Sequence, residues 1–125
     1  MPHLLLIALG GAIGASVRHL TNVTALRLWG PAFPWHTAAI NILGSFLIGV
    51  TVALLARRSG AAPEWRLFVA TGVLGGFTTF SAFALDVAVL WERDASAQAL
   101  SYVLLSVLGS VLAVFAGLAL ARAFA

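Results

Sequence analysis

The chain has 125 residues, 62% of them hydrophobic and 9% charged, with a mean hydropathy of +1.05. A soluble domain of this length needs far more charged surface, so the composition describes one small membrane domain spanning residues 1–125. The net charge of +3 rests on arginines scattered among apolar runs, which make no nucleic-acid patch, and the lack of cysteine excludes disulfides and thiolate metal sites.

Four apolar segments follow in order, roughly residues 4–28, 37–56, 66–90 and 97–121, and predict an all-α membrane protein with four transmembrane helices. Met1-Pro2-His3 ahead of the first run lacks the positive region and cleavage site of a secretory signal, so it reads as the opening of the first helix. On that helix Gly10, Gly14 and Arg18 share a face, with Gly11 and Ala15 beside them, and the glycines form a packing seam. Arg18 comes after an apolar rise of about 21 Å, short of the roughly 30 Å hydrocarbon core. It therefore sits within the membrane zone or at the floor of a water-filled entrance. There it either draws anions to a vestibule or snorkels to lipid phosphate, and both readings stand.

The second segment carries Thr37, Asn41 and Ser45 at four-residue spacing on one face, with Gly44 and Gly49 nearby. An amide inside an apolar helix needs partners, and helix–helix bonding and pore lining are both open to Asn41. The third segment has no charge over residues 67–85, yet its centre reads Gly75-Gly76-Phe77-Thr78-Thr79-Phe80-Ser81-Ala82-Phe83. Paired glycines and paired threonines are poor helix material, which predicts a mid-membrane break over Gly75 to Thr79. Such a break is tolerated only where protein buries it or where it lines a cavity, and its carbonyls are hard oxygen ligands for a cation. The fourth segment repeats the hydroxyl pattern with Tyr102, Ser106 and Ser110, beside a small-residue seam of Gly109, Ala113 and Gly117.

Trp29, Trp35, Trp65 and Trp91 all lie near segment ends, where a ring with one polar N–H suits the headgroup level. Four crossings put Arg57, Arg58, Arg66 and Arg122 on one side and, if Arg18 is counted as flanking, Arg18, Arg27 and Arg93 on the other. So even a distribution is almost no orientation signal, and an antiparallel homodimer of identical chains follows naturally, with chance as the plainer account. Asp86 is the sole carboxylate near a helix interior; an interfacial polar contact explains it better than proton coupling. His3, His19 and His36 are scattered and make no metal site. No nucleophile–base pair, phosphate loop or carboxylate pair gives enzyme chemistry a seat.

The 75–83 stretch resembles the GG-x-TTFS-T-F signature of the small bacterial fluoride channels, the Fluc or CrcB family. Gly10-Gly11-Ala12-Ile13-Gly14-Ala15-Ser16-Val17-Arg18 resembles that family's GG-x-x-GA-x-x-R motif in the first helix. Thr37-Ala38-Ala39-Ile40-Asn41-Ile42-Leu43-Gly44-Ser45-Phe46 is similar to its T-x-x-x-N-x-x-G-S-F pattern in the second. The matches fall in order and the resemblance spans the chain. It implies a dual-topology homodimer in the bacterial cytoplasmic membrane, with two fluoride pores and a structural sodium ion at its centre. The resemblance places Asn41, Phe80, Phe83 and Ser81 on the fluoride path, with Thr37, Tyr102, Ser106 and Ser110 as further contributors. It places Arg18 at the vestibule and gives the Gly75 and Thr78 carbonyls of both subunits to sodium. Two departures stand out: Ala82 where the family has Thr, and His36 where a glycine is usual.

Fluoride is strongly hydrated, so a selective pore must replace its water with close donors. Asn and hydroxyl side chains donate, and the positive ring edge of phenylalanine faces anions. The resemblance implies passive fluoride export down a gradient, with lipid and a second copy of the chain as partners and no organic cofactor. The alternative, a small four-helix proton-coupled multidrug exporter, requires a carboxylate in the first helix, and residues 4–28 contain none.

Overall fold

The computed structural model describes residues 2–57 and 63–124; Arg58 and the expected connection through residue 62 lie outside the described residues. Helix α1 spans Pro2–Trp29 and α2 spans Trp35–Arg57. The third span opens with a single turn, α3 (Pro63–Trp65), widens into a π-helical stretch at Arg66–Leu74, and tightens again in α4 (Gly75–Phe77). After two extended residues, α5 covers Phe80–Glu92, and α6 covers Ser96–Phe124. Among the described residues there is no strand, and four segments are long and apolar enough to cross a bilayer: Pro2–Trp29, Trp35–Arg57, Pro63–Glu92 and Ser96–Phe124. The chain is thus an all-α, multi-pass membrane protein.

The helices outrun the expected apolar segments at their ends because helical hydrogen bonding continues into residues of the headgroup zone. All four tryptophans fall at these ends and are exposed. Leu5, Leu20, Leu108 and Leu112 are each more than half exposed, as suits side chains that meet lipid rather than water. Gly30 closes α1: its φ of 74° is the left-handed conformation that a glycine adopts freely, and its N–H reaches the Leu26 carbonyl. Pro31 and Pro34 then prevent continuation. At one end of the bundle His3 Nε2 lies 3.8 Å from Glu64 Oε1. The Arg57 guanidinium likewise donates to the Arg122 carbonyl at 2.7 Å, tying the last turns of α2 and α6 together.

Two tight seams hold the bundle. Helix α2 lies along α6, where a methyl group on Gly49 would strike the Val114 carbonyl and one on Gly117 would strike the Phe46 carbonyl. Helix α1 lies against the third span, where a Gly14 methyl would strike the Val73 carbonyl and a Gly76 methyl would sit 2.7 Å from the Gly11 carbonyl oxygen. In lipid, where apolar burial gives little driving force, such backbone approach supplies the packing energy. This seam also corrects the extent of the break. Gly75 and Gly76 are helical, and only Thr78 and Thr79 leave the helix. Gly76 is there for close approach to Gly11 of α1, whereas the β-branched threonines carry the change of direction.

Candidate functional site

The interruption is built from a few named hydrogen bonds. Thr78 (φ −81°, ψ 157°) and Thr79 (φ −154°, ψ 122°) are both extended. The Thr78 hydroxyl donates to the Leu74 carbonyl at 3.0 Å, which also accepts the Thr78 N–H. Asn41 of α2 then takes over the next peptide: its Oδ1 accepts the Thr79 N–H at 2.8 Å, and its Nδ2 donates to the Thr79 carbonyl at 2.9 Å. Thr79 in turn caps α5, its hydroxyl oxygen accepting the Ala82 N–H at 3.2 Å.

These bonds have a consequence for two carbonyls. In an unbroken helix the Thr79 N–H would donate to Gly75 and the Ala82 N–H to Thr78, by the i to i−4 rule. Both donors are diverted, one to the Asn41 amide and the other to the Thr79 hydroxyl. The Gly75 and Thr78 carbonyls thereby lose their regular helical donors, as the Gly76 and Phe77 carbonyls do where the helix restarts at Phe80 and Ser81.

Around the break lie two cavities that share Thr79 as a wall. The first, of about 440 Å³, lies between α2, α5 and α6 and is lined by Asn41, Ser45, Phe80, Phe83, Ser106 and Ser110, with Gly75 and Thr78 at its edge. None of its lining residues is charged. Ser106 lines this cavity, and its hydroxyl oxygen is buried and makes no hydrogen bond among the described residues. Phe80 and Phe83 meet at 5.5 Å between ring centroids, tilted by 53°. Phe83 is buried, whereas Phe80 is 77% exposed in the single chain.

The second cavity, of about 470 Å³, lies between α1 and α5 and holds Arg18, His19, Asn22, Ser81 and Ala82. Two of the sequence-predicted residues, Arg18 and Ser81, thus stand together but apart from the first cavity. Two others line neither cavity. Tyr102 is fully buried, packed against Phe83 with ring centroids 5.2 Å apart and tilted by 43°, and its hydroxyl donates a hydrogen bond to Asp86 Oδ2 at 2.9 Å. Thr37 is buried near the start of α2. Asp86 accordingly serves a polar contact within the protein, as its position near the membrane edge suggested. Ser45, Thr79 and Asn22 join the site without having been singled out for it. Ser45 was visible as the third member of the Thr37–Asn41 stripe. Asn22 follows Arg18 by one helical turn, and the argument applied to the Asn41 amide would have found it.

A family profile described as "CrcB-like protein, Camphor Resistance (CrcB)" matches residues 5–118. Over 122 residues, 98% of each chain, the sequence is 62% identical to a protein of Mesorhizobium japonicum named "Fluoride-specific ion channel FluC". A protein of the same name from Chelativorans sp. is likewise 62% identical over 98% of each chain. A third, from Agrobacterium fabrum, is 57% identical over the same share.

Proposed function

Since the chain belongs to the CrcB-like protein family, we propose that it is a fluoride-selective channel that lets fluoride leave the cell passively. The observation that carries this reading is the first cavity: uncharged, membrane-embedded and furnished with donors. The buried Ser106 hydroxyl makes no hydrogen bond among the described residues, and Ser110 lies one helical turn further along α6. A full charge on the wall would hold an anion too tightly to conduct it; isolated hydroxyls and ring edges hold it and let it go. The small anion gains most from such short contacts, which disfavours chloride. The site works by binding and release, without bond making, so the protein is a channel rather than an enzyme.

The finer features belong to the same proposal. Sodium fits the released carbonyls of Gly75 and Thr78: neutral, hard oxygens at a helix interruption suit an alkali cation. Two carbonyls leave its coordination incomplete, and a second copy of the chain would supply the rest. An antiparallel homodimer also accounts for Phe80, whose exposed ring would be covered by the partner and serve the partner's pore. In this arrangement Asn41 acts through Thr79 as well as on the cavity, and Arg18 concentrates anions at the approach. Tyr102 contributes by bracing Phe83, its own proton being committed to Asp86.

Purified protein reconstituted in liposomes loaded with fluoride is expected to release it without a proton gradient, while chloride-loaded liposomes stay loaded. Chloride efflux on the scale of fluoride efflux, or strict dependence on a proton gradient, would overturn the reading.

A further inference from the structure

The second cavity contains one group that nothing above employs. Asn22 lies on the face of α1 that carries Ala15 and Arg18, and all three line the cavity together with Ser81 and Ala82 of α5. Its side-chain oxygen Oδ1 is buried and has no hydrogen-bond partner among the described residues. An unmatched amide within an apolar bundle costs free energy on the order of 1–3 kcal/mol, so its presence needs a compensating contact. The cavity wall includes the Arg18 guanidinium and no carboxylate, so its field favours an anion. Thr79 and Ser81 connect it to the first cavity: Thr79 lines both, and the two hydroxyl oxygens are 3.5 Å apart.

We infer that Asn22 is a fluoride-path residue, and that with Arg18 and Ser81 it makes the second cavity an anteroom for hydrated fluoride ahead of Thr79. The inference rests on the channel reading and adds to it a residue and a step. An amide meets a hydrated anion in both of its orientations. Its N–H2 donates to the ion itself, and a half-turn brings the oxygen out of its buried position to accept a hydrogen bond from the water shell. Arginine alone attracts the anion without removing any of its water. Asn22 supplies a neutral exchange partner while that water is being lost. The Ala82 methyl lines the same cavity, so a hydroxyl introduced there would enter the same space and serve the same purpose.

The test is fluoride efflux from liposomes, read with a fluoride electrode, on the full chain. Asn22→Leu, similar in size but without polar atoms, is expected to slow efflux about tenfold, the worth of one hydrogen bond to a charged group. Ala82→Thr added to Asn22→Leu is expected to recover a large part of that loss. Asn22→Asp keeps the shape and places a negative charge in the anteroom, and is expected to slow efflux further than Asn22→Leu. Wild-type protein that passes no fluoride would sink the channel reading itself. Wild-type protein that passes fluoride, with Asn22→Leu and Asn22→Asp indistinguishable from it, would sink the inference alone. Loss of efflux together with loss of the native elution volume on gel filtration would also sink it, because Asn22 would then be an assembly residue.

Discussion

Asn41 shows how a single side chain can set backbone geometry in a membrane. With no water in the hydrocarbon core, the peptide group of Thr79 must find partners inside the protein, and Asn41 supplies both a donor and an acceptor. Asn41→Leu, close in volume, is expected to leave the Thr79 N–H and carbonyl without those partners, at a cost of about 1–3 kcal/mol for each group. Thermal unfolding in detergent should show a transition several degrees lower, and an unchanged transition would mean that the break is stable without the amide. Asn41→Asp should be intermediate, since a carboxylate still accepts from the Thr79 N–H but no longer donates to its carbonyl. The sequence exposed the need for a partner, since an amide in an apolar helix requires one. It did not expose which partner, because the bond joins residues 38 apart and forms only when α2 lies against the third span. Tyr102 carries the same lesson in reverse. Its spacing with Ser106 and Ser110 put it on a common stripe, yet contact with Asp86 and Phe83 takes its hydroxyl out of the cavity.

At the scale of elements, the seam between α1 and the third span decides where the break residues can stand. A Cβ on Gly14 would meet the Val73 carbonyl, a backbone atom that cannot step aside as a side-chain tip can. A Cβ on Gly11, one residue beyond the same seam's first glycine, meets nothing within 4 Å in the chain. Gly14→Ala is therefore expected to lower thermal stability by about 1–3 kcal/mol, the usual cost of overpacking, in spite of alanine's better helix propensity. Gly11→Ala should cost much less, and a larger loss for Gly11→Ala than for Gly14→Ala in the same melting experiment would show that the seam is wrongly placed. Helix number and order, the glycine seams and the existence of an interruption were legible, because they follow from apolar length and residue size. The π-helical stretch at Arg66–Leu74 was not. Apart from Gly72 its residues have unexceptional helix propensities, and a wider turn is a response to packing, which local sequence does not encode. The same holds for the two glycines of the break. Both are poor helix formers in isolation yet remain helical, and at Gly76 the missing side chain is what the α1 contact uses.

At the scale of the whole molecule, the sequence makes a statement that a single chain cannot display, because it concerns orientation. With Arg18 counted as flanking, the arginines of the sequence divide four against three between the two expected sides of the membrane, where a protein with one fixed orientation normally shows a clear excess on the cytoplasmic side. The cost of either orientation is then nearly equal, as the proposed antiparallel pair requires. An antiparallel pair would also place two exposed Phe80 rings and two sets of released carbonyls in equivalent positions about one axis. The chain has no cysteine, so a single cysteine added at residue 94 can report sidedness without interference. It is expected to react with an impermeant thiol reagent from both faces of the membrane in one population of cells. Biasing variants sharpen the test. Glu64→Lys adds a positive charge at the end that holds Arg66, and Glu92→Lys adds one at the end that holds Arg93. Each should shift the population toward a single orientation and lower fluoride efflux when expressed alone, and co-expression of the two should restore efflux. Labelling of the wild-type reporter from one face only, with efflux of the separate variants unimpaired, would show that the chain assembles in parallel and that the near-equal arginine count is coincidence.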